Sequence, residues 1–501
     1  MSLHSKFVEV AKKNKKRTAI IDSATGQTYT FGKLFIASLL LSSFMKKNKD
    51  EFVGIMLPKT AGGFITTFAV LFSGKIPVMI NYSTGAERNI QYAKKKGSFS
   101  TVVTSRKFIE KIGLKPMQGM MFLEDIIGSV SIFKKIAALF KSFMPKLFIT
   151  KKKLDDIAVL LFTTGSEKEP KAVMLSHDNI LSNVEAIQQE FYIGPDDMFA
   201  GVLPLFHIFG LTTSFFLPLL SGAAVNTFAN PLEYQTVADG IKKNKCTIIT
   251  ATPTFIRGYS QKSEAGDFES LRLVIAGGDK LNKNIKDSFF NKHGIDILEG
   301  YGATETSPVI SVNRLKNNKF GSIGQALPGV IVKIVNINTE EEVATGEEGK
   351  ILVKGRLVMK GYYNDIEETA LHIHQGWYDT GDIGVIDEDG FLWHRGRLRR
   401  FVKIAGEMVS LVAVENAIEK YLNDDDLCCA VEIPHITKGA EIVVALTAEI
   451  DEKDLKKKLA AELPPIAIPK KIIYYPELPV MGNGKVNFRA VEDNCRNNSN
   501  C

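Results

Sequence analysis

The chain has 501 residues, of which 45% are hydrophobic and 24% charged. That length predicts roughly two to four domains, and the apolar share supplies buried cores and excludes a disordered or low-complexity chain. Lys+Arg 63 against Asp+Glu 56 leaves a net charge of +7. This mild basic excess, with no arginine-rich arm or RNP-like aromatic pattern, excludes nucleic acid as the expected partner. It suits an acidic partner or an anionic lipid surface instead.

The five cysteines, Cys246, Cys428, Cys429, Cys495 and Cys501, form no CxxC pair, which argues against a disulfide framework or a zinc site. Met1 to Val8 lacks the apolar core of a signal peptide and soon meets the basic run Lys12 to Arg17. The longest uncharged stretch, Met198 to Leu232, is broken by three prolines, three glycines, His207, Asn226 and Asn230. It is expected as buried strands and loops, not as a bilayer span. A cytoplasmic protein is expected.

In chain order, helical patterns alternate with short apolar strands, beginning with Phe52 to Leu57. Ser129 to Met144 follows as an amphipathic helix with Ile132, Phe133, Ile136, Leu139, Phe140 and Phe143 on one face. Lys134, Lys135 and Lys141 lie off that face, and Pro145, Lys146 and Lys151 to Lys153 come after it. Such a helix, over about 130–144, either lies in an anionic membrane interface, the inner face of the cell membrane being the expected one, or docks by its apolar face on its own domain. Ile157 to Phe162 and Thr247 to Thr250 read as further buried strands, and the alternation predicts an α/β fold with mainly parallel sheets. From about Gly321 to Arg395 short strands and turn signals predict a small β-rich subdomain. A basic stretch, Gly396 to Lys403, then leads to a helix at Val412 to Leu422, a strand at Glu441 to Thr447 and a helix at Asp451 to Leu463. The expected organisation is a large domain over 1–398, a small mobile α+β domain over 399–495, and a polar tail over 496–501.

Chemistry is concentrated in a series of motifs. Leu161-Phe-Thr-Thr-Gly-Ser-Glu-Lys-Glu-Pro-Lys-Ala172 runs a strand into a loop of hydroxyls and backbone N–H groups ending in a lysine, a composition suited to polyphosphate. No GxxxxGK[S/T] occurs, so it is not a Walker A loop. Downstream come Leu203-Pro-Leu-Phe-His-Ile-Phe-Gly210, Ala276-Gly-Gly-Asp-Lys280, Gly300-Tyr-Gly-Ala-Thr-Glu-Thr306, Gly376-Trp-Tyr-Asp-Thr-Gly-Asp382, Gly396-Arg-Leu-Arg-Arg-Phe-Val-Lys403 and Gly482-Asn-Gly-Lys485. In this order the sequence resembles the adenylate-forming superfamily of acyl-CoA synthetases, luciferases and peptide-synthetase adenylation domains. Gly165-Ser-Glu, Lys403-Ile-Ala-Gly-Glu-Met-Val-Ser410 and Pro77-Val-Met-Ile-Asn-Tyr82 look like bacterial acyl-acyl-carrier-protein synthetases. These include the ligase half of 2-acylglycerophosphoethanolamine acyltransferase.

The resemblance implies that ATP and a fatty acid form an acyl-adenylate, from which a pantetheine thiol takes the acyl group. By that resemblance Thr163, Thr164, Gly165, Ser166 and Lys171 form the phosphate loop, and Thr304 and Glu305 contact phosphate, Glu305 also holding Mg²⁺. Gly277, Gly278, Gly300, Tyr301 and Gly302 form the adenine pocket, while Asp382 and Arg397 meet the ribose. Lys403 falls in the loop used in thiol transfer, and Lys485 is the mobile catalytic lysine. His207 matches a position near the acyl and thiol channel, or is a satisfied core histidine. Acyl carrier protein is the expected acceptor, because such carriers are acidic and this chain is basic. Coenzyme A is the alternative. An attached acyltransferase would need HxxxxD, and the one match, His374 to Asp379, overlaps the Trp-Tyr-Asp-Thr-Gly-Asp motif, so a stand-alone ligase is expected. A non-catalytic descendant binding fatty acid or nucleotide is the reading from outside enzymology. Two departures stand out: Lys168 and Ala172 occupy phosphate-loop positions where the family commonly has glycine.

Overall fold

The computed structural model describes residues 1–163, 170–404, 407–423, 426–435, 439–479 and 486–499. Its strands in the larger part are β1 Thr18–Asp22, β2 Gln27–Thr30, β3 Phe52–Ile55, β4 Ile76–Met79, β5 Val102–Thr104, β6 Met120–Phe122, β7 Ile157–Phe162, β8 Ala172–Ser176, β9 Met198–Gly201, β10 Ala224–Thr227, β11 Ile248–Ala251, β12 Leu273–Gly277, β13 Ile297–Gly302, β14 Val309–Val312 and β15 Gln325–Ala326. The later strands are β16 Ile331–Val335, β17 Gly349–Lys354, β18 Gly361–Tyr362, β19 Ile373–His374, β20 Trp377–Ile386, β21 Leu392–Arg397, β22 Phe401–Ile404, β23 Glu407–Ser410, β24 Cys428–His435, β25 Gly439–Leu446 and β26 Lys471–Tyr474.

The chain forms two compact units. The larger comprises Met1–Phe320, Gly324–Ile331 and Val353–Tyr378, and the smaller Gly321–Ile323, Val332–Leu352 and Asp379–Cys501. This is the mixed α/β architecture, with a large N-terminal domain and a smaller C-terminal one, that the sequence predicts. The larger unit holds two sheets. One runs β15-β14-β13-β12-β11-β9-β10-β1-β2 and the other β18-β8-β7-β4-β3-β5-β6. Their centres are parallel, as at β11–β12 and β12–β13, because strands such as Ile157–Phe162 are apolar on both faces and are covered by helices on both. Antiparallel strands edge both parallel sets: β14 and β15 beyond β13, and β2 beyond β1, in one sheet, and β8 and β18 beyond β7 in the other.

Helix starts follow local chemistry. Ser176 accepts from the Asn179 N–H at 3.1 Å while Asn179 Oδ1 accepts from the Ser176 N–H at 2.8 Å, a reciprocal cap that fixes the entry to His177–Phe191. One expectation is corrected. The stretch Met198 to Leu232 is strand only at its ends, β9 and β10; between them Ile208–Leu211, Thr212–Phe216 and Leu217–Ser221 run as continuous helical turns. The middle turn is π-type, with Thr213 donating its hydroxyl to the Phe209 carbonyl at 2.7 Å. Pro218 comes just after the π-type turn, where its missing N–H interrupts the regular ladder of a continuous helical run.

In the smaller unit most of β16, β17, β20 and β21 belong to a five-stranded sheet with β19, β22 pairs with β23, and β24-β25-β26 form a further sheet. Val402, Val409, Val414, Ile418, Val444 and Leu459 are among the residues of its core. Arg400 anchors that core. Its guanidinium pairs with the Glu415 carboxylate, donates to the Ala430 carbonyl at 2.9 Å and lies 4.1 Å from the Phe488 ring centroid. Glu415 Oε1 also accepts from the Ala430 N–H at 2.7 Å. Burial raises the Glu415 carboxyl above its usual range, against the pull of Arg400, so the arginine is what keeps a buried carboxylate tolerable. Arg400→Ala should therefore destabilise this unit by about 3–5 kcal/mol, read as an earlier first transition in urea unfolding of the full chain.

Candidate active site

The site in the larger unit is built where β12 and β13 end side by side. Gly277 and Gly300 are direct partners in the parallel ladder, so two residues without side chains stand together at the carboxyl ends of adjacent strands, the usual place for a ligand in an open α/β sheet. A Cβ on Gly277 would come within 3.0 Å of the Phe209 ring, and Gly278 takes φ +82°, which favours glycine. A Cβ on Gly302 would lie 2.0 Å from the Pro308 carbonyl oxygen. Tyr301 is half-buried and opposes Ser311 on β14.

Glu299, immediately before this glycine pair, was not singled out in the sequence. Its Oε1 accepts from the Leu281 N–H at 3.0 Å, and its carbonyl accepts from Asn313 N–H and Nδ2 at 2.9 and 3.3 Å. It thereby ties the turn after Gly277 to β13. Its Oε2 is buried with no hydrogen-bond partner among the described residues, and burial is the chief reason its carboxyl is pushed up to about 7. The protonated acid is the form this pocket favours.

After β13 the chain makes one short turn, Thr304–Thr306, fastened by the Thr306 hydroxyl, which takes the Ala303 N–H at 3.1 Å. Thr304 is half-buried and Glu305 is buried. The Tyr362 hydroxyl donates to Glu305 Oε1 at 2.9 Å, and burial together with the Glu305 charge raises the phenol's pKa, so it keeps that proton.

Tyr362 is the link to the phosphate-loop motif. It lies in β18, opposite Val173 of β8, and its ring centroid is 5.3 Å from Lys171 Nζ. The Met359 N–H donates to the Glu305 carbonyl at 2.8 Å, and the Tyr363 N–H to the Ala172 carbonyl at 2.8 Å. Residues 359–363 therefore join Thr304 and Glu305 of one sheet to Thr163 and Lys171 of the other. Thr163 and Lys171 close the base of the motif: the Thr163 N–H donates to the Lys171 carbonyl at 2.9 Å, and the Lys171 N–H to the Thr163 hydroxyl at 3.3 Å. Thr164, Gly165, Ser166 and Lys168 lie outside the described residues. Ala172, a departure from the family pattern, is the first residue of β8, paired with Phe162, and nothing in that extended position calls for glycine.

Two further side chains were missed. Glu368 pairs with Lys171 Nζ and accepts from His372 Nε2 at 3.0 Å, and Lys171 is the main cause holding the Glu368 carboxyl below its usual range. His372 Nε2 lies 3.4 Å from Lys171 Nζ. Both sit on the short helix Ile366–His372, within the segment expected to be β-rich. His207 is half-buried at the start of Ile208–Leu211, its ring centroid 4.6 Å from that of Phe206.

In the smaller unit Asp382 and Arg397 are cross-strand partners on β20 and β21, with Oδ1 and Nε 3.4 Å apart. His394 Nε2, also missed, lies 3.4 Å from the same Oδ1. The Asp382 side chain is buried and that of Arg397 exposed. Lys403 lies in β22, and Lys485 lies outside the described residues.

A cation fits beside Glu305. One carboxylate oxygen is engaged by Tyr362, and no group of three or more His, Cys, Asp or Glu is gathered to hold a metal among the described residues. A single carboxylate that leaves the remaining ligands to phosphate and water is how Mg²⁺ is commonly bound.

Residues 7–363 match the AMP-binding enzyme family and residues 414–485 the AMP-binding enzyme C-terminal domain. A long-chain-fatty-acid–CoA ligase of Bacillus subtilis is 29% identical over 99% of this chain and 95% of its own length. One of Escherichia coli O6:H1 is 27% identical over 94% and 91%. The 4-coumarate–CoA ligase 1 of Petroselinum crispum is 25% identical over 97% and 92%. In fold, ATP-bound MatB of Rhodopseudomonas palustris superposes with a TM-score of 0.86 over 99% of both chains at 23% identity.

Replacing Glu299 by Gln keeps the contact to Leu281 and removes the titration. The carboxyl's folded pKa is raised, so the wild type loses stability as pH rises from the ordinary carboxylate range to about 7, and the loss is complete above that. Glu299→Gln should gain on the wild type over that interval, by at most roughly 3 kcal/mol. Melting temperatures of both proteins from pH 4.5 to 8 test this; parallel curves would count against it.

Proposed function

We propose, on the premise that this chain belongs to the AMP-binding enzyme family, that it joins a long-chain fatty acid to a pantetheine thiol through an acyl-adenylate. The carboxylate oxygen attacks the α-phosphorus of ATP, the bond to the β-phosphate oxygen breaks, and pyrophosphate leaves. The thiol sulfur then attacks the acyl carbon, loses its proton, and AMP departs with the electron pair of the broken acyl–oxygen bond. The observation that carries this reading is the full-length likeness to long-chain-fatty-acid–CoA ligases, joined to a site that sets Lys171 and Glu305 about one tyrosine.

The roles are assigned from the family resemblance, supported by the joining of Lys171 and Glu305 through Tyr362. In this reading Gly277, Gly278, Gly300, Tyr301 and Gly302 form the adenine pocket, and Thr163, Thr164, Gly165, Ser166, Lys171 and Thr304 contact phosphate. Glu305, oriented by Tyr362, would hold Mg²⁺, which supplies charge neutralisation between phosphate oxygens. Asp382 accepts from ribose hydroxyls and Arg397 steadies it. Lys485 places a positive charge where carboxylate and α-phosphate meet, two anions that must be brought together.

Coenzyme A is the better supported acceptor, since the long-chain relatives are coenzyme A ligases; this reverses the order expected from the sequence. Acyl carrier protein is the competing acceptor, supported by the net charge of +7. Thioester formation on each, across fatty acids of graded length, decides between them. Absence of fatty-acid-dependent pyrophosphate release would leave the non-catalytic reading.

Lys485→Ala should slow adenylation by about 10²–10³, the size of one lost electrostatic contact of roughly 2.7–4 kcal/mol. Thiol transfer from preformed acyl-adenylate should be much less affected. Equal losses in both half-reactions would remove Lys485 from this role.

A further inference from the structure

The amphipathic helix Ile132–Phe143 is mounted with its apolar face outward. Lys134, Ala138 and Lys141 recur at i, i+4 and i+7 and form the side that packs on the domain. Ala138 is 2% exposed, Lys134 Nζ lies 4.8 Å from the Phe44 ring centroid, and Lys141 Nζ 5.3 Å from that of Phe148. The opposite side carries Ile132, Phe133, Ile136, Leu139, Phe140 and Phe143, all exposed, Phe133 to 82% and Phe140 to 67%. Leu147, just beyond, is 73% exposed. The helix start is well made, the Ser131 hydroxyl accepting from the Lys134 N–H, so this orientation belongs to an ordered element. Single exposed apolar residues are common, but a contiguous patch of this kind marks an interaction site.

From this inverted mounting and its basic rim we infer that the helix is a docking surface for an anionic bilayer. The inference deepens the long-chain fatty acid reading and rests on it for its purpose, since such acids reside in membranes. Lys15 Nζ lies 5.4 Å from the Phe143 ring centroid, at the edge of the apolar face. Lys135 and Lys146 are exposed beside it, and Lys151 to Lys153 follow in the chain. Large apolar residues ringed by lysines suit the boundary between acyl chains and anionic headgroups. A second copy of this chain would bring the same basic rim against itself, and like charges at close range repel. The helix has 12 residues, and no helix among the described residues is long and apolar enough to cross a membrane. The association is peripheral.

Flotation of the full chain with phosphatidylcholine vesicles, with and without phosphatidylglycerol, tests this. Binding should require phosphatidylglycerol and fall about tenfold or more from low to high salt. Phe133→Ser with Phe140→Ser should abolish flotation, and Lys135→Glu with Lys146→Glu should weaken it at low salt. Both variants should keep wild-type pyrophosphate release on a soluble short-chain acid. Undiminished flotation of the folded double-serine variant overturns the inference. So does a wild-type dimer in sedimentation that the same variant converts to monomer, since a second copy would then cover the helix. Flotation without pyrophosphate release from any acid would fail the ligase reading and leave the docking surface standing. Release without flotation does the reverse.

Discussion

A lysine charge set beside a tyrosine and a carboxylate is the constraint on which the larger unit's site depends. Lys171 is largely withdrawn from water, its side chain 16% exposed, and a cation there needs compensation. Glu368 supplies it, and the face of Tyr362 adds a weaker attraction. The same tyrosine gives its proton to Glu305, so one phenol orients the carboxylate and lies against the lysine. Because Tyr362 belongs to β18, which pairs with β8, this arrangement is fixed by backbone. In the proposed reading a polyphosphate would compete with Glu368 for Lys171.

The glycines on β12 and β13 answer a different demand. They permit close packing: the Phe209 ring, from the helical stretch after β9, lies where a Cβ on Gly277 would stand, and the Pro308 carbonyl where one on Gly302 would. The His207-containing motif is thus at least partly a packing device, its aromatics closing one side of the pocket. Glu299 completes the pocket by holding the turn at Leu281. A buried acid is costly in its charged form, and here it holds a functional turn in register.

Much of this was legible before any coordinates. Strands such as Ile157–Phe162 could be read to the residue because an apolar run bounded by turn residues has few alternatives. Gly277, Gly300 and Glu305 stood out because they recur in ordered motifs. Tyr362, Glu368 and His372 did not, since each acts through a partner far off in the chain, and no local pattern announces Lys171 with Glu368. His394 was silent for the same reason: it meets Asp382 across a strand pair. The uncharged stretch after β9 misled because prolines and glycines were read as breaks, whereas Pro218 falls near the start of a helical turn and Gly210 inside one. Gly210 is there because a Cβ would strike the Pro204 carbonyl oxygen at 2.2 Å.

The helix Ile132–Phe143 shows where periodicity stops carrying information. Its spacing fixed which residues share a face, and the face came out as read. Which face meets the protein is a separate question, because amphipathic patterning is the same whether the apolar side finds a core or a lipid surface. The deciding residue is Ala138. A small side chain amid Lys134 and Lys141 lets the backbone approach the domain, while the two lysine ammonium groups lie over the Phe44 and Phe148 rings. Had Ala138 been a large polar residue, that side could not have packed closely, and burying the phenylalanines would have been the available way to seat the helix. The lysines that look like a solvated face in the sequence are the side that holds the helix down, and this frees the phenylalanines to meet something outside the chain.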